Sequence, residues 1–312
     1  MPPYESLRSL EPTTLPEGNE TKEFTLMLGG DMERYVWTIN GKTLSASDTI
    51  LIRRGENVRF ILENKTMMHH PMHLHGHFFR VLNGQGKYSP LKHTVDVVPG
   101  GKTIIEFAAD QEIDWFFHCH ILYHLAAGMA RVVHYEGSAI DPDIAAIRHK
   151  LYEDPVYYWA DAALMSNMTE GLITIENTKN TINASWEFGW EDREYEIVLT
   201  YNRYINRLLS VFGGADITNE DQNNRGVFGI EYLLPFLIDG TAWIDTDGDL
   251  RVILDKEMRI TDRVTAFGEL QCDTESKWEL KASGTFMIGK NVSLIGQYYT
   301  EFGGGGGLLV QF

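Results

Sequence analysis

Cysteine is nearly absent: Cys119 and Cys272 are the only two in 312 residues, which excludes a disulfide framework as the basis of the fold. Positive charge is also scarce. Against 44 acidic residues stand 27 lysines and arginines, a net charge of −17. That balance argues against nucleic acid or an anionic lipid surface as a partner, and it suits a protein that collects cations. Long apolar runs are missing too. Stretches such as "GVFGIEYLLPFLI" are too short and too interrupted for a spanning helix. The first residues, "MPPYESLRSLEPTTLPEGNE", carry no basic segment, apolar core or cleavage site, so they do not form a signal peptide. Histidine is absent beyond His149.

What is present falls into two halves. Up to about residue 137, β-branched or aromatic runs such as "KEFTLMLGG", "RYVWTING", "NVRFILEN" and "MARVVHYEG" each close on Gly, Asn or Asp. Six or more such strands predict an all-β Greek-key sandwich over residues 1–137. Residues 138–180 break the rhythm and read as a connector, with a short helix expected in "IAAIRHKLY". From 181 to 312 the alternation becomes strict. In "TINASWEFGW", Ile182, Ala184, Trp186, Phe188 and Trp190 share one face and Asn183, Ser185 and Glu187 the other. "EYEIVLTY" behaves alike, with Val198 the exception. This predicts an antiparallel β-barrel or meander of about ten strands. One apolar and one polar face per strand suits an outer-membrane barrel, apolar toward lipid and polar toward the lumen. A soluble barrel with an apolar core gives the same alternation.

Eight of the eleven histidines lie in "HHPMHLHGH" (69–77) and "DWFFHCHILYHLAAGM" (114–129). In an extended segment, residues two apart share a face. His73 and His75 therefore project together, and His118 and His120 project away from Cys119. One strand can thus offer a thiolate to one metal and two imidazoles to metals behind it. A His₂Cys set with a weak axial Met is the ligand choice of a blue-copper site, with tetrahedral zinc the alternative for any Cys/His cluster. The remaining histidines, His69, His77, His93, His134 and His149, are expected to be structural. "DTDGD" (245–249) reads as a hairpin turn, its glycine coming too early for a calcium loop.

"HPMHLHGH" and "HCHILYHLAAGM" resemble the last cupredoxin domain of multicopper oxidases. "LRSLEPTTLPEG", "GDMERYVWTINGK" and "KHTVDVVPG" narrow the resemblance to the copper-resistance A type. The barrel segment resembles, by pattern, that of copper-resistance B-type outer-membrane proteins. The first resemblance implies type 1 copper held by His70, Cys119, His124 and Met129. It implies His73 on type 2 copper, and His75, His118 and His120 on the type 3 pair. Cys119, His118 and His120 would then be the catalytic residues, linking oxidation of Cu(I) or another reductant to reduction of O₂ to water. Such a trinuclear cluster draws half of its histidines from the first domain, and this chain holds no second pair of H-x-H motifs. Type 1 copper should be complete, types 2 and 3 partial. The chain is therefore expected to be the C-terminal part of a longer oxidase, to meet its missing N-terminal cupredoxin domains or a partner subunit, and to reside in the periplasm and outer membrane. The alternative is a non-enzymatic copper-binding or electron-transfer module anchored at the outer membrane.

Overall fold

Inward-facing Val58, Phe60 and Leu62 alternate with half-exposed neighbours along "NVRFILEN", and this period of two organises the first part of the chain. The computed structural model describes every residue except 1–3, 33, 35, 140–141, 192, 220–223 and 275–277, and not the side chains of 143, 144 and 147. It divides into two units, Met1–Asp154 and Pro155–Phe312.

The first unit contains strands β1 (Thr21–Asp31), β2 (Val36–Ile39), β3 (Ile50–Ile52), β4 (Asn57–Asn64), β5 (His70–Leu74) and β6 (Phe79–Val81). They are followed by β7 (Leu91–Lys92), β8 (Thr94–Val97), β9 (Lys102–Ala108), β10 (Asp114–Cys119) and β11 (Ala130–Tyr135). Helix α1 (Leu122–Ala126) joins β10 to β11, and α2 (Pro142–Arg148) follows as "IAAIRHKLY" predicts. Two mixed sheets form the sandwich, ordered β2-β1-β4-β9-β6-β7 and β3-β11-β10-β5-β8. β1 lies parallel to β4 and β3 parallel to β11, the remaining pairs being antiparallel. Phe60 sits at the heart of the core, edge-on to Phe107 and to Phe117, so that aromatic rings tie the two sheets together.

The second unit is a closed barrel of consecutive antiparallel strands. These are β12 (Tyr157–Met165), β13 (Met168–Glu176), β14 (Asn180–Gly189), β15 (Tyr195–Asn206), β16 (Leu209–Thr218) and β17 (Arg225–Leu234). The ring continues with β18 (Ile238–Asp245), β19 (Leu250–Arg259), β20 (Val264–Asp273), β21 (Trp278–Met287), β22 (Val292–Tyr299) and β23 (Gly303–Gln311). β12 pairs with β23 from Asp161↔Gln311 to Met165↔Gly307 and shuts the ring. The strands number twelve rather than about ten. The two extra, β12 and β13, fall in the segment read as connector. Their alternation is faint in the sequence because alanines at 160, 162 and 163, Gly171 and a lumen-side Leu172 dilute the contrast between faces.

The barrel is apolar outside and largely polar inside, with two small apolar clusters in the interior, one of Phe212, Val227 and Trp243 and one around Met165, Met168 and Ile295. On β21, Leu280 is 45% exposed while Lys281 beside it is 7% exposed. Asn202, Asp216, Gln271, Ser293 and Gln297 are buried, whereas Ile182, Leu199, Phe228, Leu254 and Leu294 face outward. No helix among the described residues is long and apolar enough to cross a membrane, which says nothing about crossing by strands. The "DTDGD" turn is a hairpin connection as read: Asp245 Oδ1 accepts hydrogen bonds from the amides of Asp247, Gly248 and Asp249.

Candidate metal centre

Strand β10 is where the two histidine clusters meet. It pairs antiparallel with β5, bringing Cys119 opposite Met72 and His118 opposite His73. Because successive side chains alternate, Cys119 and Phe117 enter the core while His118 faces the other way. His70, Met72 and Leu74 on β5 are likewise inward and fully or almost fully covered. The single turn α1 then returns the chain so that His124 comes back beside Cys119.

On the core side, His70 Nδ1 and His124 Nδ1 stand 3.2 Å apart, at 3.8 and 3.6 Å from Cys119 Sγ. All three residues are buried. Met129 is also fully buried, and the backbone ties it to the same group. The Cys119 amide donates to the Met129 carbonyl at 3.0 Å, and the Met129 amide donates to the His124 carbonyl at 2.9 Å. Trp37 stacks on His124 with ring centroids 3.9 Å apart and lies edge-on to His70 at 5.2 Å. Behind His70, the Thr66 hydroxyl is 2.8 Å from Nε2. Asn64 holds Thr66 in turn: its Oδ1 accepts from the Thr66 hydroxyl and amide while its amide nitrogen donates to the Met68, Val97 and Val98 carbonyls. Thus one nitrogen of His70 is anchored and the other is aimed at the thiol.

Burial sets the protonation of this group. It lowers the pKa of His70 to about 4, helped by the neighbouring imidazoles of His124 and His69, and it lowers that of His124 as well. The same burial raises the Cys119 thiol to about 11. Without a metal the site therefore holds two neutral imidazoles and a protonated thiol. A bound cation must displace the thiol proton, after which the thiolate and imidazoles together suit a soft or borderline metal.

On the opposite face, His73, His75 and His118 form a second group whose ligand nitrogens all lie within 4.8 Å of one another. His75 Nε2 is 3.0 Å from His118 Nε2. The rear nitrogens are engaged by backbone: His73 Nδ1 with the His93 carbonyl at 2.7 Å, His118 Nδ1 with the Cys119 carbonyl at 2.9 Å. This leaves the Nε2 atoms of both rings facing the cluster. His120 lies on the rim and is exposed, its ring 5.9 Å from that of His118 and 5.7 Å from that of His73. Gly76 makes the turn that sends His75 to this face and His77 into the core. Its φ of +71° and the Trp115 ring, 2.4 Å from where a Cβ would stand, leave room for glycine alone.

The other histidines have structural partners or none that bears on a metal. His77 contacts the His75 carbonyl through Nδ1 and the Tyr135 hydroxyl through Nε2, stacked on the Tyr135 ring. His69 pairs with Asp96 and His134 with Asp114. His93 lies edge-on to His73. His149 sits in a short helical turn after α2. Among the described residues, these two triads are the only groups of three potential ligands that converge in this way. Sequence reading did not reach Thr66, Asn64 or Trp37. The first two act through hydrogen bonds that no spacing rule displays, and Trp37 arrives from β2 in the other sheet.

The multicopper oxidase family model matches residues 19–138. Copper resistance protein A of Escherichia coli is 41% identical over 122 residues, which are 39% of this chain and 20% of that protein. The homologue of copper resistance protein A in Pseudomonas syringae pv. tomato is 38% identical over 122 residues, 39% of this chain and 21% of that one. The multicopper oxidase MmcO of Mycobacterium tuberculosis is 40% identical over 115 residues, 37% of this chain and 23% of that one. Residues 19–138 are a multicopper oxidase cupredoxin domain related to copper resistance protein A. The chain spans about a fifth of the length of these curated relatives. Within the cupredoxin domain, the buried His70–Cys119–His124 triad has the donor set of a type 1 copper site, and the residues present fit that ion.

Thr66→Val is expected to weaken copper binding at the buried triad by roughly 10- to 100-fold with the fold intact, since it frees the rear nitrogen of His70. Competition against a chelator of known affinity measures it, and an unchanged affinity would refute the anchoring role. Copper-free protein should also lose local stability as pH falls. His70 is depressed below its unfolded value, so its contribution is complete above about pH 6.5 and lost as the pH drops toward about 4. Hydrogen exchange in β5 and β10, corrected for its intrinsic pH dependence, should therefore be faster at pH 5 than at pH 7.

Proposed function

We propose that this chain is a copper-handling multicopper-oxidase module carried on an outer-membrane barrel, serving one-electron oxidation of Cu(I) or another reductant in copper resistance. The observation that carries this reading is the junction at β10. Cys119 belongs to the buried triad, and its neighbours His118 and His120 lie at the cluster behind it, so one short stretch of backbone joins the two ligand sets. His70, Cys119 and His124, together with Met129, would hold type 1 copper. His73 would serve type 2 copper, and His75, His118 and His120 the type 3 pair. Bound copper supplies reversible one-electron chemistry. The chain's own residues keep water from the triad by burial, hold both imidazoles there neutral, and fix the rings through Thr66 and Trp37. The hydrogen bond from the His118 ring to the Cys119 carbonyl adds a second link between the sites, parallel to the covalent one.

Reduction of O₂ to water needs more imidazoles than this chain brings together. The remaining ligands would come from N-terminal cupredoxin domains or a partner subunit. The non-enzymatic alternative draws support from the same count: the second group has three converging imidazoles and His120 at its rim. For the barrel, the apolar exterior and largely polar interior support insertion in an outer membrane, with outward Tyr158 and Trp278 near strand ends suited to the lipid–water boundary. Cell compartment follows as a proposal: the periplasmic side of that membrane.

Copper-loaded protein is expected to show the intense absorption of a copper–thiolate bond, and Cys119→Ser to abolish it. A colourless protein holding zinc instead would sink the type 1 assignment. Oxygen uptake with Cu(I) should be absent for this chain alone and appear when cupredoxin domains bearing the missing histidines are supplied. Uptake by the chain alone would show that the cluster is complete without them. The full chain should require detergent for extraction and migrate faster on gels before boiling than after. A monomer soluble without detergent would remove the membrane reading.

A further inference from the structure

The barrel's interior is bridged from wall to wall. Lys281 on β21 forms an ion pair with Glu187 on β14 and a second, at 3.3 Å, with Glu170 on β13. In the ring of twelve, β21 and β14 are five places apart, where six would be diametrically opposite. Glu170 also accepts a hydrogen bond from Gln297 on β22 at 3.2 Å. The Lys281 ammonium lies over the Tyr299 ring, 4.7 Å from its centroid, and the Tyr299 hydroxyl donates to Glu279 at 3.0 Å. A second bridge, Arg251 on β19 to Glu196 on β15 at 2.6 Å, spans four places of the ring. Lys281, Gln297 and Tyr299 are 7%, 6% and 4% exposed although they point into the lumen, so the side chains themselves fill the cross-section there.

Toward one end the lumen opens into a cavity of about 380 Å³ lined by Asp161, Glu170, Glu257, Arg259, Asp262 and Arg263, among others. Glu170 belongs both to this cavity and to the bridge, so the cavity's inner end is the latch. Resting on the reading that the barrel spans a membrane, we propose that the lumen is a cation passage latched shut by Lys281. The acids Asp161, Glu170, Glu187, Glu196, Asp216 and Glu269 line the path, and the ammonium both cancels their field and occupies the centre. Arg251, Arg259 and Arg263 also line the lumen, but the six acids outnumber these three guanidiniums, so the interior with that ammonium removed favours cations over anions. Wall-to-wall pairing also explains why a lysine sits in the barrel interior at all: its desolvation is offset by two carboxylates and an aromatic face.

The test uses the full chain in lipid vesicles and planar bilayers with potassium chloride as the probe. Flotation with vesicles and heat-modifiable migration establish insertion first. A chain that does not insert overturns the membrane reading and this inference together. Given insertion, wild type should be nearly silent. Lys281→Ala should raise conductance by about tenfold or more, with a reversal potential in a salt gradient on the potassium side. Exchange of the pair, Lys281→Glu with Glu187→Lys, should restore silence. Where Lys281→Ala does not reach the heat-modifiable form, Lys281→Ala with Glu187→Gln, which also removes the carboxylate left unpaired, is read in its place and should also conduct. Steady conductance by wild type at the variants' level, or silence of the folded variants, overturns the latch while leaving the membrane reading standing.

Discussion

Neighbouring side chains on a β-strand point to opposite faces of the sheet, and this geometry underlies both units of the protein. At β10 it divides His118, Cys119 and His120 between a buried triad and an open cluster, so two ligand sets of different character share one backbone. The sandwich core makes the division consequential. Phe117 and Cys119 point into a packed interior that excludes water, and there a thiol is driven up to about 11 and an imidazole down to about 4. On the other face, His120 meets solvent. A register slip of one residue would exchange these environments and leave neither site.

In the barrel the same alternation is turned inside out. Apolar residues face outward and most polar ones converge on the lumen, where Lys281 and Arg251 pair with carboxylates across the ring. Closure is what permits this: every strand finds a neighbour on both sides, and no edge is left unpaired. The long glycine run "GGGGG" lies in β23, which completes the circle against β12. Gly307 there approaches the Leu164 carbonyl so closely that a side chain would collide with it.

Much of the site was legible because metal ligands have to recur at short spacings. The pairs His73/His75 and His118/His120 and the intervening Cys119 follow from the period of two, whereas His70, His124 and Met129 were implied by the resemblance to the last cupredoxin domain of multicopper oxidases. Ring anchoring was not legible. Thr66 reaches His70 from four residues away, but its own support comes through Asn64, which is held by the Val97 and Val98 carbonyls at the end of β8, more than thirty residues on. Trp37 stacks on His124 although 86 residues separate them in the chain. In the barrel, the faces of β14 and β15 were readable residue by residue, whereas β12 and β13 were hidden by small residues that blur the contrast.

The sequence by itself determined which residues alternate, and hence the all-β architecture, the ligand types and the division of His118, Cys119 and His120 between faces, because strand periodicity is a local property of the chain. Only the tertiary structure decided that His70 and His124 meet the thiol, that the ring has twelve strands, and that Lys281 crosses a lumen to Glu187. Those contacts join elements far apart in the chain, and their existence depends on sheet order, closure and packing rather than on any spacing within one strand.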